Sequence, residues 1–267
     1  MGCLSPSLAR PVTLIVVHRF YLAPDQCVGD LLRLTGSEAH HAAVVLRVRV
    51  GDRAMVLDGL GTELIGHFVE VGRRESVVAV DERRRHPERP FSVHLAVALL
   101  KGRAWDSILE KATELGAAGI QPLAAERSVV QIARDDVAAK LVGWRATTIS
   151  AAKQCGTPWL PPLLEPQTPT AWMSRRTPGS PATELLLVAS LEAGTRSILG
   201  LLAGTRESLG RRPERVTVVI GPEGDFTPGE YQVFREGGAQ AISLGSLVLR
   251  ADTAVIAALA VVQAGLE

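Results

Sequence analysis

The stretch Val216–Glu230 reads VTVVIGPEGDFTPGE, and the order of its features decides the fold. A buried strand ends at Ile220 and meets the loop Gly221-Pro222-Glu223-Gly224. Two glycines there let a ligand approach the backbone closely. A helix then begins: Thr227 and Glu230 stand at capping-box spacing, and Pro228 takes the first helical position. The loop therefore lies at the carboxyl end of a parallel strand, where ligands of open α/β sheets bind.

Downstream, the short apolar run Ala241–Leu244 is followed by Leu244-Gly245-Ser246-Leu247-Val248-Leu249-Arg250 and by a final helix from about Asp252 to Gln263. An apolar loop with one glycine can cradle an adenine through backbone groups and aliphatic contacts. It carries no carboxylate or metal ligand of its own. Upstream, Val93–Leu99 reads as a strand buried on both faces. Ala104–Leu115 follows helical spacing, with Ile108, Ala112 and Leu115 on one face and Gly116 as the stop. Ile120–Leu123 and Leu185–Ala189 read as further strands, Asp135–Gln154 as a long Ala-rich helix, and Pro158–Ser180 as loop. Strands alternating with helices predict an α/β domain with a mainly parallel sheet over 91–267.

The segment 18–88 has a different texture. Its β-type runs Ala43–Val50, Ala54–Leu57, Glu63–Val71 and Ser76–Val80 are separated by the turn signals Gly51-Asp52, Asp58-Gly59 and Gly72. Short strands at this spacing predict a small β-barrel, and Ser37–Leu46 could instead be a short helix capped by Ser37. The charged, proline-bounded Asp81–Pro90 reads as a linker. Residues 1–17 read as a disordered or upstream extension.

Composition narrows the function classes. Of 267 residues, 46% are hydrophobic and only 4% aromatic, so the core must be built from Ala, Val and Leu. A formal net charge of +1 excludes a polycationic nucleic-acid coat. Among the 29 basic residues, Lys occurs only at positions 101, 111, 140 and 153. Arg suits forked contacts with phosphates and base edges. The cysteines Cys3, Cys27 and Cys155 form no zinc or disulfide pattern, which fits a reducing cytoplasm. The longest apolar run, Ala254–Val262, is too short to span a membrane. His40 and His41 lack a third ligand nearby, so no metal is expected. Neither G-x-G-x-x-G after a first strand nor a P-loop occurs.

IGPEGDFTPGE followed by LGSLVLRADTAVIAALAVVQ resembles the C-terminal signature of the SPOUT class of knotted methyltransferases. More closely, it resembles the RsmE type, which methylates uridine N3 in small-subunit (16S) ribosomal RNA. Further matching segments are His18-Arg19-Phe20-Tyr21, His41–Val50, Lys101–Gly116, Pro122–Ser128 and Lys153-Gln154-Cys155-Gly156. The resemblance implies a PUA-like N-terminal β-barrel and a C-terminal α/β domain with a trefoil knot, assembled as a homodimer. It implies S-adenosylmethionine (AdoMet) as cofactor, held by Gly221, Pro222, Glu223 and Gly224, by Leu244, Gly245, Ser246, Leu247 and Leu249, and by a third contact near Leu191 and Glu192. The family usually has Leu-Gly-Pro-Arg before the hydrophobic pair and Arg-x-Glu-Thr-Ala after it. Here Ser246 and Leu247 replace the Pro and first Arg, and Asp252 replaces the Glu. Lys153 and Thr157 also depart from the usual Glu and Arg around Gln-Cys-Gly.

Uridine N3 must lose a weakly acidic proton to attack a methyl group. An enzyme would hold the reactants in line and either stabilise charge developing on O2 or O4 or supply a base. Arg250 is the candidate for the first role. Asp252 is the candidate base, or the partner that orients Arg250; both could instead merely cap the last helix. Arg19, Arg47, Arg49, Arg53, Lys101, Arg103 and Arg127 form a plausible phosphate track for 16S rRNA or a small ribosomal subunit. The competing readings are a 2′-O-ribose methyltransferase of the same class and a non-catalytic ribosome-assembly factor.

Overall fold

Side chains alternate between core and solvent along the second N-terminal strand, Leu31–Thr35, and are buried on both faces in the central C-terminal ones. The computed structural model describes residues 17–176 and 183–267; the expected extension therefore lies, except for Val17, outside the described residues. The chain divides into two compact units, and the loop Leu57–Thr62 belongs with the C-terminal one, whereas Glu63–Arg84 returns to the N-terminal one.

In the N-terminal unit, β1 (His18–Tyr21) and β2 (Leu31–Thr35) precede a short helix α1 (Gly36–His40), then come β3 (Arg53–Leu57), β4 (Thr62–Glu70) and β5 (Glu75–Arg85). They form a curled half-barrel of order β1-β3-β4-β5-β2. Strand β2 shows the simplest logic: Leu32 and Leu34 are fully buried while their neighbours face water. They pack with Phe20, Val56 and Phe68, whose ring meets Phe20 edge-on at 5.5 Å.

Two expectations need correction here. His41–Leu46 is a π-helical turn that continues α1, so of the two readings of this segment the helix over Ser37–Leu46 holds and the first half of the Ala43–Val50 strand does not, with Thr35 rather than Ser37 at the N-cap. Ala39 and Ala42 are the buried pair, at helical rather than strand spacing, and Arg47 ends the turn with a left-handed backbone (φ 55°). The linker also starts later than expected, because Asp81–Arg85 continues β5. Its charges have partners: Asp81 pairs with Arg53 at 2.7 Å, and Arg83 donates to the Cys27 carbonyl at 3.1 Å.

The C-terminal unit contains β6 (Ser92–Ala98), α2 (Arg103–Glu114), β7 (Gly119–Leu123), α3 (Val137–Cys155), α4 (Pro169–Arg175), β8 (Glu184–Ala189), β9 (Arg196–Ser197), α5 (Ile198–Leu209), β10 (Arg215–Ile220), α6 (Pro228–Glu236), β11 (Gln240–Ser243) and α7 (Ala251–Leu266). The sheet order is β7-β6-β10-β8-β11-β9, and every neighbouring pair is parallel. Alternate residues of one strand enter different cores: Val216, Val218 and Ile220 of β10 pack with Trp105, Ile108, Val255 and Leu259, while Val219 packs on the other face with Phe226, Tyr231 and Phe234. This double burial explains the unbroken apolar runs. Helix α4 interrupts the segment expected to be loop: Thr168 accepts from the Ala171 N–H and Pro169 occupies the first turn, a capped start inside a Pro-rich stretch. Residues 177–180 of that expected loop lie outside the described residues.

Strands β8, β10 and β11 lie side by side, so the loops after their carboxyl ends emerge at one edge of the sheet. That edge is where the two glycine loops of the sequence meet.

One half-buried group should make the stability of this unit depend on pH. His94 lies in β6 between β7 and β10, where burial, helped by the Arg215 guanidinium, lowers its pKa from 6.5 to about 4. The unfolded chain therefore takes up a proton below about pH 6.5 that the folded chain refuses until about pH 4. Stability contributed by the neutral imidazole is present above pH 6.5 and is lost as pH falls through this window, by about 2 kcal/mol once partial exposure is allowed for. Urea unfolding at several pH values should show a steeper fall for the native chain than for His94→Asn. Parallel curves would refute the assignment.

Candidate active site

A cavity of about 300 Å³ opens at this edge, among the ends of β8, β10 and β11 and the start of α7. Its walls come from Ala189–Leu191, from Ile220–Glu223 with Asp225, from Ile242–Gly245 and from Leu247–Ala251 with Ala254. The first loop is tight. The Asp225 N–H donates to the Pro222 carbonyl at 2.9 Å, and Asp225 takes a left-handed backbone with φ 61°. A Cβ at Gly221 would sit 3.2 Å from the Phe226 ring, a tight contact that the ring beneath the loop would have to shift to accept. In the second loop the Ser243 hydroxyl accepts from the Gly245 N–H at 3.2 Å, and Gly245 has φ 130°.

Side chains of α6 lock the loops to the scaffold. The predicted capping box forms: Glu230 N–H donates to Thr227 Oγ1 at 3.3 Å, and Thr227 N–H donates to Glu230 Oε2 at 2.9 Å. The other oxygen, Glu230 Oε1, accepts from the Glu126 N–H at 2.9 Å, 104 residues away. That bond holds the segment after β7 against the first loop, and Arg127 then donates to the Gly224 carbonyl at 3.1 Å. One residue further on, the Tyr231 hydroxyl lies 2.6 Å from Asp225 Oδ1 and 3.2 Å from the Ala189 carbonyl. Burial, together with the neighbouring Asp225 carboxylate, pushes the Tyr231 phenol above its usual range, so it remains a hydrogen-bond donor.

The chemistry available is that of a half-apolar cleft with backbone donors and acceptors, two carboxylates and one guanidinium. The cleft can hold a flat heterocycle against Leu244, Leu247 and Leu249 while polar groups fix a charged tail. Among the described residues, no cluster of three or more His, Cys, Asp or Glu is arranged to hold a metal ion.

The model of the RNA methyltransferase domain matches residues 87–263. The chain belongs to this RNA methyltransferase family. A model of the RNA methyltransferase PUA domain matches residues 34–81. Ribosomal RNA small subunit methyltransferase E of Synechocystis is 32% identical over 99% of this chain and 85% of its own length. The enzyme of the same name from Mycobacterium bovis is 32% identical over 93% of this chain and 92% of its own. Among solved structures, the methyltransferase E of Neisseria gonorrhoeae bound to S-adenosyl methionine superposes with a TM-score of 0.80 at 26% identity, covering 93% of this chain and 98% of that one.

In this methyltransferase most of the sequence-derived cofactor residues converge. Leu191, Gly221, Pro222, Glu223, Leu244, Gly245, Leu247 and Leu249 line the cavity, and Arg250 joins them. Glu192, Gly224 and Ser246 do not line it. Glu192 instead pairs with Arg235 at 3.0 Å, and the open side of Gly224 faces the Arg127 side chain, with 3.2 Å from a would-be Cβ. Asp252 also lies outside the lining; its carboxylate accepts from the Thr253 N–H in the first turn of α7 and makes no ion pair with Arg250. Arg250 is the N-cap residue of α7, exposed, with no side-chain cap bond.

Among the lining residues that sequence reasoning missed are Ala189, Ser190, Asp225 and Val248. Asp225 was within reach, since it sits one residue beyond the quoted loop; the strand end Ala189-Ser190 carries no glycine signal.

The basic residues expected to contact RNA are split between the two units. In the N-terminal one, Arg47 and Arg49 are exposed, Arg19 is half-buried, and Arg53 is already paired with Asp81. In the C-terminal one, Lys101 and Arg103 are exposed at the start of α2, and Arg127 is engaged with the first loop. His41 packs its ring against Phe20 at 6.3 Å.

Proposed function

We propose that this chain uses AdoMet to methylate N3 of a uridine in 16S ribosomal RNA, alone or within the small subunit. The observation that carries the reading is the convergence of three loops on one cleft that ends at Arg250. The cleft suits AdoMet: apolar side chains and backbone groups for adenine, backbone groups and Glu223 for the amino acid tail. When bound, AdoMet supplies an activated methyl group on a sulfonium. The chain's own residues do the rest. Gly221–Glu223 and Leu244–Leu249 fix the donor, so that its methyl presents one face to the target base. Arg250 faces the base and stabilises negative charge on O4 or O2 as the N3 proton leaves. Asp252 strengthens the N-terminal end of α7, on which Arg250 sits. The target nucleotide is extruded from its stack to reach the cleft.

Exposed Arg47 and Arg49 in the N-terminal unit, with Arg19 and Arg53 in support, and Lys101 and Arg103 in the C-terminal one, with Arg127 in support, supply phosphate contacts. The reading includes the family's trefoil knot and homodimer, and a cytoplasmic location. Supporting the dimer, Ile256 and Val261 on α7 remain 37% and 36% exposed. No helix among the described residues is long and apolar enough to cross a membrane.

The deciding experiment incubates the protein with labelled AdoMet and either small subunits or free 16S RNA, followed by nucleoside digestion and mass analysis. N3-methyluridine is expected. A 2′-O-methyl nucleoside, or no transfer to either substrate, would overturn the reading.

A further inference from the structure

Asp225 has a set of properties that the proposed chemistry leaves unused. It lines the cleft. Its backbone is left-handed at φ 61°, a conformation shared by only one other non-glycine residue, Arg47, among the described ones. Aspartate adopts this backbone more readily than most residues, because its short side chain can bond the neighbouring backbone. Its carboxylate is fixed on one side only: Oδ1 accepts from the Phe226 N–H at 2.8 Å and from the Tyr231 hydroxyl at 2.6 Å. Oδ2 makes no hydrogen bond or ion pair among the described residues. Tyr231 is itself anchored near the Ala189 carbonyl, at the end of the neighbouring strand β8. The carboxylate is thus held in one orientation by a buried phenol, with one oxygen left over.

The charge count of the cleft gives that oxygen a purpose. Among the lining residues the ionisable ones are Glu223, Asp225 and Arg250, a net charge of one negative. AdoMet at neutral pH carries an ammonium, a carboxylate and a sulfonium, a net charge of one positive. Transfer of the methyl to uridine N3 leaves the bonding pair on sulfur, which becomes a neutral thioether; the N3 proton departs to solvent. The product S-adenosylhomocysteine (AdoHcy) therefore has no net charge. Donor and product differ by one methyl and one positive charge, and size alone discriminates them weakly. A fixed carboxylate in a partly dry cleft senses that difference.

We propose that Asp225, oriented by Tyr231, is a specificity-determining residue: its carboxylate favours the cationic donor over the neutral product and so promotes exchange of AdoHcy for AdoMet after each turnover. The inference rests on the AdoMet reading of the cleft.

Calorimetric titration of the full-length protein with AdoMet and with AdoHcy, in the absence of RNA, tests it. Asp225→Asn keeps the size and the hydrogen-bond acceptor but removes the charge. Asp225→Gly also removes it and suits the left-handed backbone, which guards against a folding artefact. In both variants the affinity for AdoMet should drop about fivefold or more, while that for AdoHcy changes less than about twofold. Tyr231→Phe should narrow the same ratio to a lesser degree. Equal losses for both ligands, or no loss for either, would overturn the assignment while leaving the AdoMet site standing. If the native protein binds neither ligand, the reading of the cleft itself falls, and the role of Asp225 with it.

Discussion

Arg250→Ala binds AdoMet with nearly native affinity and methylates roughly a hundred- to a thousandfold more slowly, the cost of removing one charge-stabilising donor from a developing anion. The residue lines the cleft, its side chain makes no ion pair or hydrogen bond among the described residues, and it leaves the helix N-cap without a side-chain bond. An arginine left unengaged at such a place has no folding role to lose. The substitution should therefore leave the unfolding midpoint within about 0.5 kcal/mol of native. Arg250→Lys should recover only part of the rate, because an ammonium lacks the planar fork that can reach two oxygens of a uracil ring. Single-turnover assays with labelled AdoMet, paired with calorimetry, separate the two readouts. Native turnover in the alanine variant would remove Arg250 from the chemistry.

Glu230→Ala has the largest expected effect on the scaffold. The carboxylate is buried, at 8% exposure, and accepts two backbone N–H groups, one from its own helix cap and one from Glu126. Alanine strands both donors and should cost about 2–4 kcal/mol. The loss is not confined to stability. Without that bond the segment bearing Arg127 is no longer fastened to the first loop, and AdoMet affinity should fall as well. Glu230→Gln retains one acceptor oxygen and should show roughly half of each loss. Urea unfolding and calorimetry on the two variants are the measurements. An alanine variant as stable as native would show that water replaces the carboxylate.

Much of this molecule is written in its local sequence, and the rest is not, for identifiable reasons. The strand–loop–helix at Val216–Glu236 is legible because three independent signals coincide there: a β-branched run, two glycines, and a Thr-Pro-x-Glu cap whose hydrogen bonds are all present. The wall formed by Leu244–Arg250 is legible for the same reason, as a glycine loop between a strand and a helix. Helix α5 carries no comparable signal. Its sequence ILGLLAGTRESL contains two interior glycines, which weaken helical propensity, and it forms because Ser197 caps it and Leu201 and Leu202 are buried in the core that includes the final helix. The turn at His41–Leu46 is ambiguous in the sequence because a VVL run favours a strand on its own, whereas burial of Ala39 and Ala42 selects the helix. Asp225 escapes because a carboxylate after a glycine loop looks like an ordinary turn residue. Its meaning comes from Tyr231 and from Ala189 at the end of another strand.

The three loops of the cleft follow adjacent strands, but they are far apart along the chain: Ser190, Gly221 and Arg250 are joined only through the sheet. A molecule gripping all three acts as a noncovalent staple. It closes the chain between β8 and α7 and adds its binding free energy to the integrity of everything between. The final helix, whose first turns form the far wall, cannot leave the sheet without releasing that molecule. Retention of the small molecule and retention of the chain's last strand and helix are then one equilibrium, and the protein should be hardest to unravel while it is charged for reaction.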